Sequence, residues 1–202
     1  MKILCIGRNY ADHAKELNNE VPTSPMIFMK PSSALLVNNK PLYYPSFTEE
    51  LHYEVEAVIR ICKNGRHVQR QYAPDYYDQI GIGIDFTARD IQARLKAKGH
   101  PWELAKAFDG SAALSQMVPL DSRSSGPQTF SLTKNDEQVQ LGTTADMIFS
   151  FEDIICYASQ YFKLQIGDLI YTGTPAGVGA VIIGDHLEAF LGDQLMLKCA
   201  IK

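Results

Sequence analysis

The chain of 202 residues is 46% hydrophobic and 21% charged, with a formal net charge of −4; it fits one ordinary globular domain, long enough to bury a substantial core. Its basic residues are scattered, which excludes the electrostatic footprint of a nucleic-acid binder or of a protein held to an anionic membrane. Cys5, Cys62, Cys156 and Cys199 lie far apart without paired spacing, and no apolar run reaches the length of a signal core or a membrane span; free thiols in a soluble, cytoplasmic protein are expected.

In chain order, KILCIG (2–7) reads as a short buried strand entering a turn. Tyr10 to Leu17 reads as a brief helix stopped by Asn18-Asn19. Five prolines punctuate residues 20–47 and leave room only for short strands at 26–30 and 34–39. LHYEVEAVIRI (51–61) alternates like a strand and ends at the turn Asn64-Gly65, and Asp75 to Gln79 is expected in a helical turn. IGIGID (80–85) is a buried strand whose glycines permit close backbone approach. Thr87-Ala88-Arg89-Asp90 resembles a capping box that opens a helix through Lys98, with Gly99 as its stop.

Strands at 128–134 and 137–142 are joined by the hairpin signal Asn135-Asp136. A helix from Phe151 to Phe162 starts on a second capping box at Ser150. Strands at 168–172, 186–191 and 194–201 finish the chain, separated by Gly-Asp turns. Many short strands and few helices predict a β-rich α+β fold.

The segment 51–61 also carries the first chemical signal. Glu54 and Glu56 are two apart in a strand, so both carboxylates project from one face. Like charges on a half-buried strand repel unless something positive lies between them. A hard divalent cation is the natural candidate, because Mg²⁺, Mn²⁺ and Ca²⁺ prefer carboxylate oxygens. Asp85, at a strand-to-helix junction, can complete such a site.

Seven segments in order carry a family resemblance: GRNYADHAKEL (7–17), FMKPSSAL (28–35), HYEVEAVI (52–59), DFTARDIQ (85–92), KGHPWELAKAFD (98–109), TADMIFS (144–150) and GDLIYTGTPAGVG (167–179). Together they resemble the fumarylacetoacetate hydrolase superfamily, most closely its short acylpyruvase/oxaloacetate decarboxylase type. The resemblance implies one catalytic domain over 1–202 with the mixed β-sandwich roll of that family, residues 1–45 forming an N-terminal segment with a lid helix. It implies a homodimer as well. Relative to the longer hydrolases the chain is expected to lack an extra N-terminal domain, and AFDGSAALSQMVP (107–119) departs from their proline-rich version; both argue against fumarylacetoacetate itself as substrate.

Residue by residue, the resemblance makes Glu54, Glu56 and Asp85 the ligands of Mg²⁺ or Mn²⁺, with Ca²⁺ also able to occupy the site. It places Lys106 beside the metal, where a cation offsets carboxylate charge and helps stabilise an enolate or oxyanion. His13 and Glu16, three apart on one helix face, become a dyad in which the carboxylate orients the imidazole to activate water. Arg8, Lys30 and Gln92 fall at positions that contact or orient the substrate, a salt-bridge role being the alternative for each, and Thr174 in the Gly-rich loop 172–179 offers a hydroxyl to a carboxylate. The implied substrates are small 2-oxo or β-diketo acids. Hydrolysis of a 3-acylpyruvate stands first and decarboxylation of oxaloacetate close behind, both through a metal-stabilised pyruvate enolate. The runners-up are isomerisation or decarboxylation of a 2-hydroxydienedioate and keto–enol tautomerisation of oxaloacetate; a non-catalytic 2-oxo acid binder is a distant third.

Overall fold

The computed structural model describes residues 1–16 and 20–202. The strands of its first half are β1 (Ile3–Gly7), β2 (Met26–Lys30), β3 (Leu35–Leu36), β4 (Leu51–Tyr53), β5 (Val55–Ile61), β6 (Tyr77–Asp85), β7 (Thr87–Ala88), β8 (Ala112–Leu114) and β9 (Val118–Pro119). Those of the second are β10 (Thr129–Lys134), β11 (Glu137–Thr143), β12 (Leu169–Tyr171), β13 (Gly179–Ala180), β14 (His186–Leu191) and β15 (Gln194–Ala200). The α-helices among the described residues are α1 (Ala11–Glu16), α2 (Arg89–Lys98), α3 (Glu103–Lys106) and α4 (Phe151–Tyr161). Leu17 and the expected stop at Asn18-Asn19 lie outside the described residues.

The main sheet runs β2-β1-β12-β5-β6-β8-β3, with β9 on β6, and is mixed: β1 pairs parallel to β12 and β3 parallel to β8. A second, four-stranded sheet runs β11-β10-β14-β15, and β4 pairs with β13 and β7 in a small third one. Alternation along each strand packs the two faces of the main sheet differently. Leu4 and Ile6 of β1 and Ile80, Ile82 and Ile84 of β6 join a large core with Phe130, Leu187 and Leu197 of the second sheet and Ile154 and Ala158 of α4. Ile3, Cys5, Val58 and Tyr171 point the other way into a smaller core. The glycines of β6 serve that second face, for a Cβ at Gly83 would lie 2.8 Å from Tyr171 Cζ. The whole is a β-rich α+β fold in which the sheets close on each other.

Local signals account for several elements. The hairpin β10–β11 turns on Asn135 and Asp136, both in the left-handed region at φ 52° and 68°. At α4, Ser150 Oγ accepts from Asp153 N while Asp153 Oδ2 accepts from Ser150 N, a complete capping box. At α2, Gly99 adopts φ 65° and its N–H closes on Leu95 and Lys96 carbonyls, the expected left-handed stop.

Four expectations need correction. The strand read at 34–39 shrinks to Leu35–Leu36, because Asn38 and Asn39 sit at φ 63° and 53° and cannot extend. The helical turn lies at Arg70–Tyr76 rather than 75–79, since pairing with β5 already makes Tyr77 and Gln79 extended. Thr87 does not cap α2: the N-cap position falls on Ala88 with no side-chain hydrogen bond. The strand read over 51–61 breaks at Glu54 into β4 and β5, which belong to different sheets. Nor is it half-buried, since β5 lies between two cores with only Arg60 exposed.

Candidate active site

The break at Glu54 sets up the site. The carbonyl of Glu54 accepts from Asp85 N at 2.8 Å, binding the start of β5 to the end of β6, and Glu56 pairs in register with Gly83. The three acids thus converge although their strands do not run as one. Glu54, Glu56 and Asp85 are buried at 5%, 2% and 1% exposure, and one carboxylate oxygen from each lies within 4.8 Å of the others.

Their surroundings are unequal. Lys106, presented by α3, donates to Glu54 Oε2 and Asp85 Oδ2, both at 2.8 Å, and to Thr87 Oγ1 at 2.5 Å. Arg89, the first residue of α2, places Nη2 2.6 Å from Glu54 Oε1, and Thr87 donates to that oxygen at 3.1 Å. Burial opposes ionisation of Glu54, but Lys106 and Arg89 outweigh it and hold the carboxyl well below the usual range. Lys106 is the reciprocal case: burial acts against its charge, and Asp85 and Glu54 prevail to raise its pKa. Glu56 has no such partner. It accepts one backbone bond, from Gly173 N at 2.8 Å, and burial together with the neighbouring Asp85 charge pushes its carboxyl well up. Gly173 reaches it at φ 106°, and a Cβ there would lie 2.6 Å from Asn9 Cβ, so the approach needs glycine.

Asp85 Oδ1 is buried without a hydrogen bond, although Lys30 Nζ lies 2.7 Å away. A buried glutamate with no cation of its own and three hard oxygen donors in one pocket fit a divalent cation of the Mg²⁺, Mn²⁺ or Ca²⁺ kind.

The other expected residues separate into two groups. Arg8, His13, Gln92, Thr174 and Lys106 line one cleft together with the acids. Arg8 stands at φ 58°, a backbone held by Asn9, whose side chain donates to Thr172 and Phe149 carbonyls and accepts from Phe149 N. Gln92 Oε1 accepts from Arg89 Nη1 at 2.7 Å, and Thr174 Oγ1 accepts from Gln140 Nε2 at 2.8 Å. Lys30 stands apart. Its amine is fully buried behind Asp85, where it also donates to Lys106 O, to Ser111 O and Ser111 Oγ at 3.0 Å, and to Phe86 O at 3.4 Å. Lys30 thus does not line the cleft but forms a buried salt bridge that braces Asp85 and the backbone at the end of α3.

His13 Nδ1 lies 3.3 Å from Glu16 Oε2, and Glu16 also accepts from Gly177 N at 3.0 Å, so the dyad joins α1 to the Gly-rich loop. Burial lowers the imidazole pKa from 6.5 despite the raising effects of Glu54 and Glu16, leaving it neutral at pH 7 and able to take a proton.

Arg89, Thr87 and Gln140 are residues that the sequence reading missed. For Arg89 a signal was present: it precedes Gln92 by three positions on one helix, so the two share a face. Thr87 looked like a cap and is instead a bridge between Glu54 and Lys106. Gln140 had no local signal, being a mid-strand amide whose Oε1 accepts from Val55 N at 2.9 Å.

Comparison with known proteins agrees with this architecture. Residues 2–201 match the model of the fumarylacetoacetate (FAA) hydrolase C-terminal family. The chain is 43% identical over 200 residues to the oxaloacetate tautomerase YcgM of Escherichia coli, covering 98% of this chain and 91% of that protein. It is 42% identical over 189 residues to the human mitochondrial oxaloacetate tautomerase FAHD1, covering 93% and 85%. Among solved structures, fumarylpyruvate hydrolase from Pseudomonas aeruginosa, in complex with Mn²⁺ and pyruvate, superposes with a TM-score of 0.94 at 34% identity over 100% of this chain and 89% of that one. With its fold, its buried carboxylate cluster and its end-to-end likeness all in accord, the chain belongs to the fumarylacetoacetate hydrolase family.

Proposed function

We propose that this protein is a divalent-metal-dependent enzyme that interconverts the keto and enol forms of a short 2-oxo acid of the oxaloacetate kind. The observation that carries this reading is the buried set Glu54, Glu56 and Asp85 beside Lys106, in a cleft shared with a neutral His13. Sequence alone ranks acylpyruvate hydrolysis first and oxaloacetate decarboxylation close behind; near full-length likeness to oxaloacetate tautomerases supports placing tautomerisation ahead of them. Glu54, Glu56 and Asp85 would hold a divalent ion, which would supply Lewis acidity toward a 2-oxo group. The chain's own residues do the rest. His13, oriented through Nδ1 by Glu16, takes the proton from the carbon next to the 2-oxo group and returns it in the reverse direction, the enol oxygen exchanging its own proton with solvent. Lys106 places positive charge where negative charge develops, and the Thr174 hydroxyl, held by Gln140, orients the carboxylate. Arg8 contributes a cation at the cleft wall.

Hydrolysis of 3-acylpyruvates is the second reading, supported by the His13–Glu16 dyad, which also suits water activation, and by likeness to fumarylpyruvate hydrolase. Magnesium is the expected resident ion and manganese its substitute, and a homodimer is the expected assembly. The deciding experiment follows oxaloacetate enol absorbance and pyruvate release separately, with acetylpyruvate in a parallel assay, under Mg²⁺, Mn²⁺ and EDTA. Enol loss without pyruvate release, abolished by EDTA and restored by metal, supports tautomerisation. Pyruvate release from acetylpyruvate as the faster reaction favours hydrolysis, and activity that survives EDTA sinks both.

A further inference from the structure

The cleft separates its cations into two levels. At the floor each is engaged: Lys106 by Glu54 and Asp85, and Arg89 by Glu54. At the mouth stand Arg8 and Lys96, neither with a carboxylate partner among the described residues. Lys96 differs in this from Arg94 on the same helix, whose guanidinium lies 4.0 Å from Asp90.

Lys96 is exposed by area yet faces the cleft, and its amine lies 5.4 Å from the centroid of the Trp102 ring, which leans on Phe28 at 6.0 Å. The ring steers the side chain without neutralising it. Lys96 also follows Gln92 by four positions on α2, so the two share a face one helical turn apart. Four residues of helix set Lys96 about 6 Å along the axis from the buried Gln92. Burial, Arg8, Arg89 and Lys106 all act against the charge of Lys96, and only Glu54 opposes them. An anion arriving at the mouth relieves this repulsion. A monocarboxylate bound at the floor leaves it unrelieved.

We propose that Lys96 receives the distal carboxylate of the substrate and so selects dicarboxylic over monocarboxylic 2-oxo acids. This rests on reading the cleft as a 2-oxo acid site, and binding measurements keep the two apart. The Mg²⁺-loaded protein is titrated calorimetrically with pyruvate and with 2-oxoglutarate, for the wild type and for Lys96→Gln and Lys96→Arg. The expected result is tighter binding of the dicarboxylate by the wild type. Lys96→Gln should weaken it roughly fivefold while leaving pyruvate unchanged, and Lys96→Arg should retain most of it. In turnover, the same loss should fall on KM for oxaloacetate rather than kcat. Equal weakening of both ligands by Lys96→Gln, or a wild type that prefers pyruvate or binds neither acid, overturns the assignment. Selective weakening without any enol–keto turnover would uphold Lys96 and count against the proposed reaction instead.

Discussion

Glu54 and Glu56 are two residues apart and both buried, yet they occupy opposite electrostatic environments. Glu54 is enclosed by Lys106, Arg89 and Thr87; Glu56 meets one backbone N–H and the negative charge of Asp85. The difference teaches that the protein balances one side of its carboxylate cluster with its own cations and leaves the other side to a ligand. A site satisfied throughout by lysine and arginine would have no electrostatic reason to take up a metal. A site without them would hold three buried carboxylates in repulsion, at a cost of several kcal/mol for each uncompensated ion.

Substitution at the two positions breaks this comparison most directly. Glu54→Gln and Glu56→Gln should each reduce metal-dependent activity on the order of 100-fold or more, since each removes a charge from the proposed metal site. Their effects on the metal-free protein should diverge. Glu54→Gln leaves Arg89 without a carboxylate partner and Lys106 with Asp85 alone, and should destabilise by about 3 kcal/mol. Glu56→Gln removes an unbalanced carboxylate and should leave stability unchanged or raise it. Urea unfolding in EDTA reads both, and equal losses would refute the asymmetry.

Metal addition sharpens the same contrast. At a metal concentration about 100 times Kd the wild type should gain about 2.7 kcal/mol, visible as a rise in Tm, and Glu56→Gln should gain little. The sign with pH follows from Glu56, whose pKa is raised: protons compete with the ion, so the gain should shrink as pH falls. A metal-induced shift independent of pH would count against Glu56 as a ligand.

The smallest expected effect concerns the His13–Glu16 pair on α1. Glu16 raises the pKa of His13, so in Glu16→Gln the imidazole loses that support and its pKa falls further below 6.5. The acid limb of the rate profile should move to lower pH while kcat drops roughly tenfold. A drop in rate with an unmoved limb would assign Glu16 to holding Gly177 alone.

The legibility of the molecule in its sequence follows the range of the interactions. The hairpin at Asn135-Asp136, the capping box at Ser150 and the stop at Gly99 are each decided within a few residues, and each is readable. The helix start at Thr87 looked equally local, but a buried glutamate and lysine compete for its hydroxyl and win it from the backbone. Lys30 is the long-range case: nothing nearby in sequence announces Asp85 or the carbonyls of Phe86, Lys106 and Ser111 that surround its amine.

The sequence by itself determined the β-rich class, the family and the cluster of three acids, because strand spacing and motif order are properties of the chain alone. Tertiary structure decided which of those acids the protein neutralises. Lys106 stands 52 positions from Glu54, and only the closure of α3 over the ends of β5 and β6 brings its amine between Glu54 and Asp85. Charge pairing in a buried site depends on distances of a few ångströms between remote segments, and no local pattern encodes them.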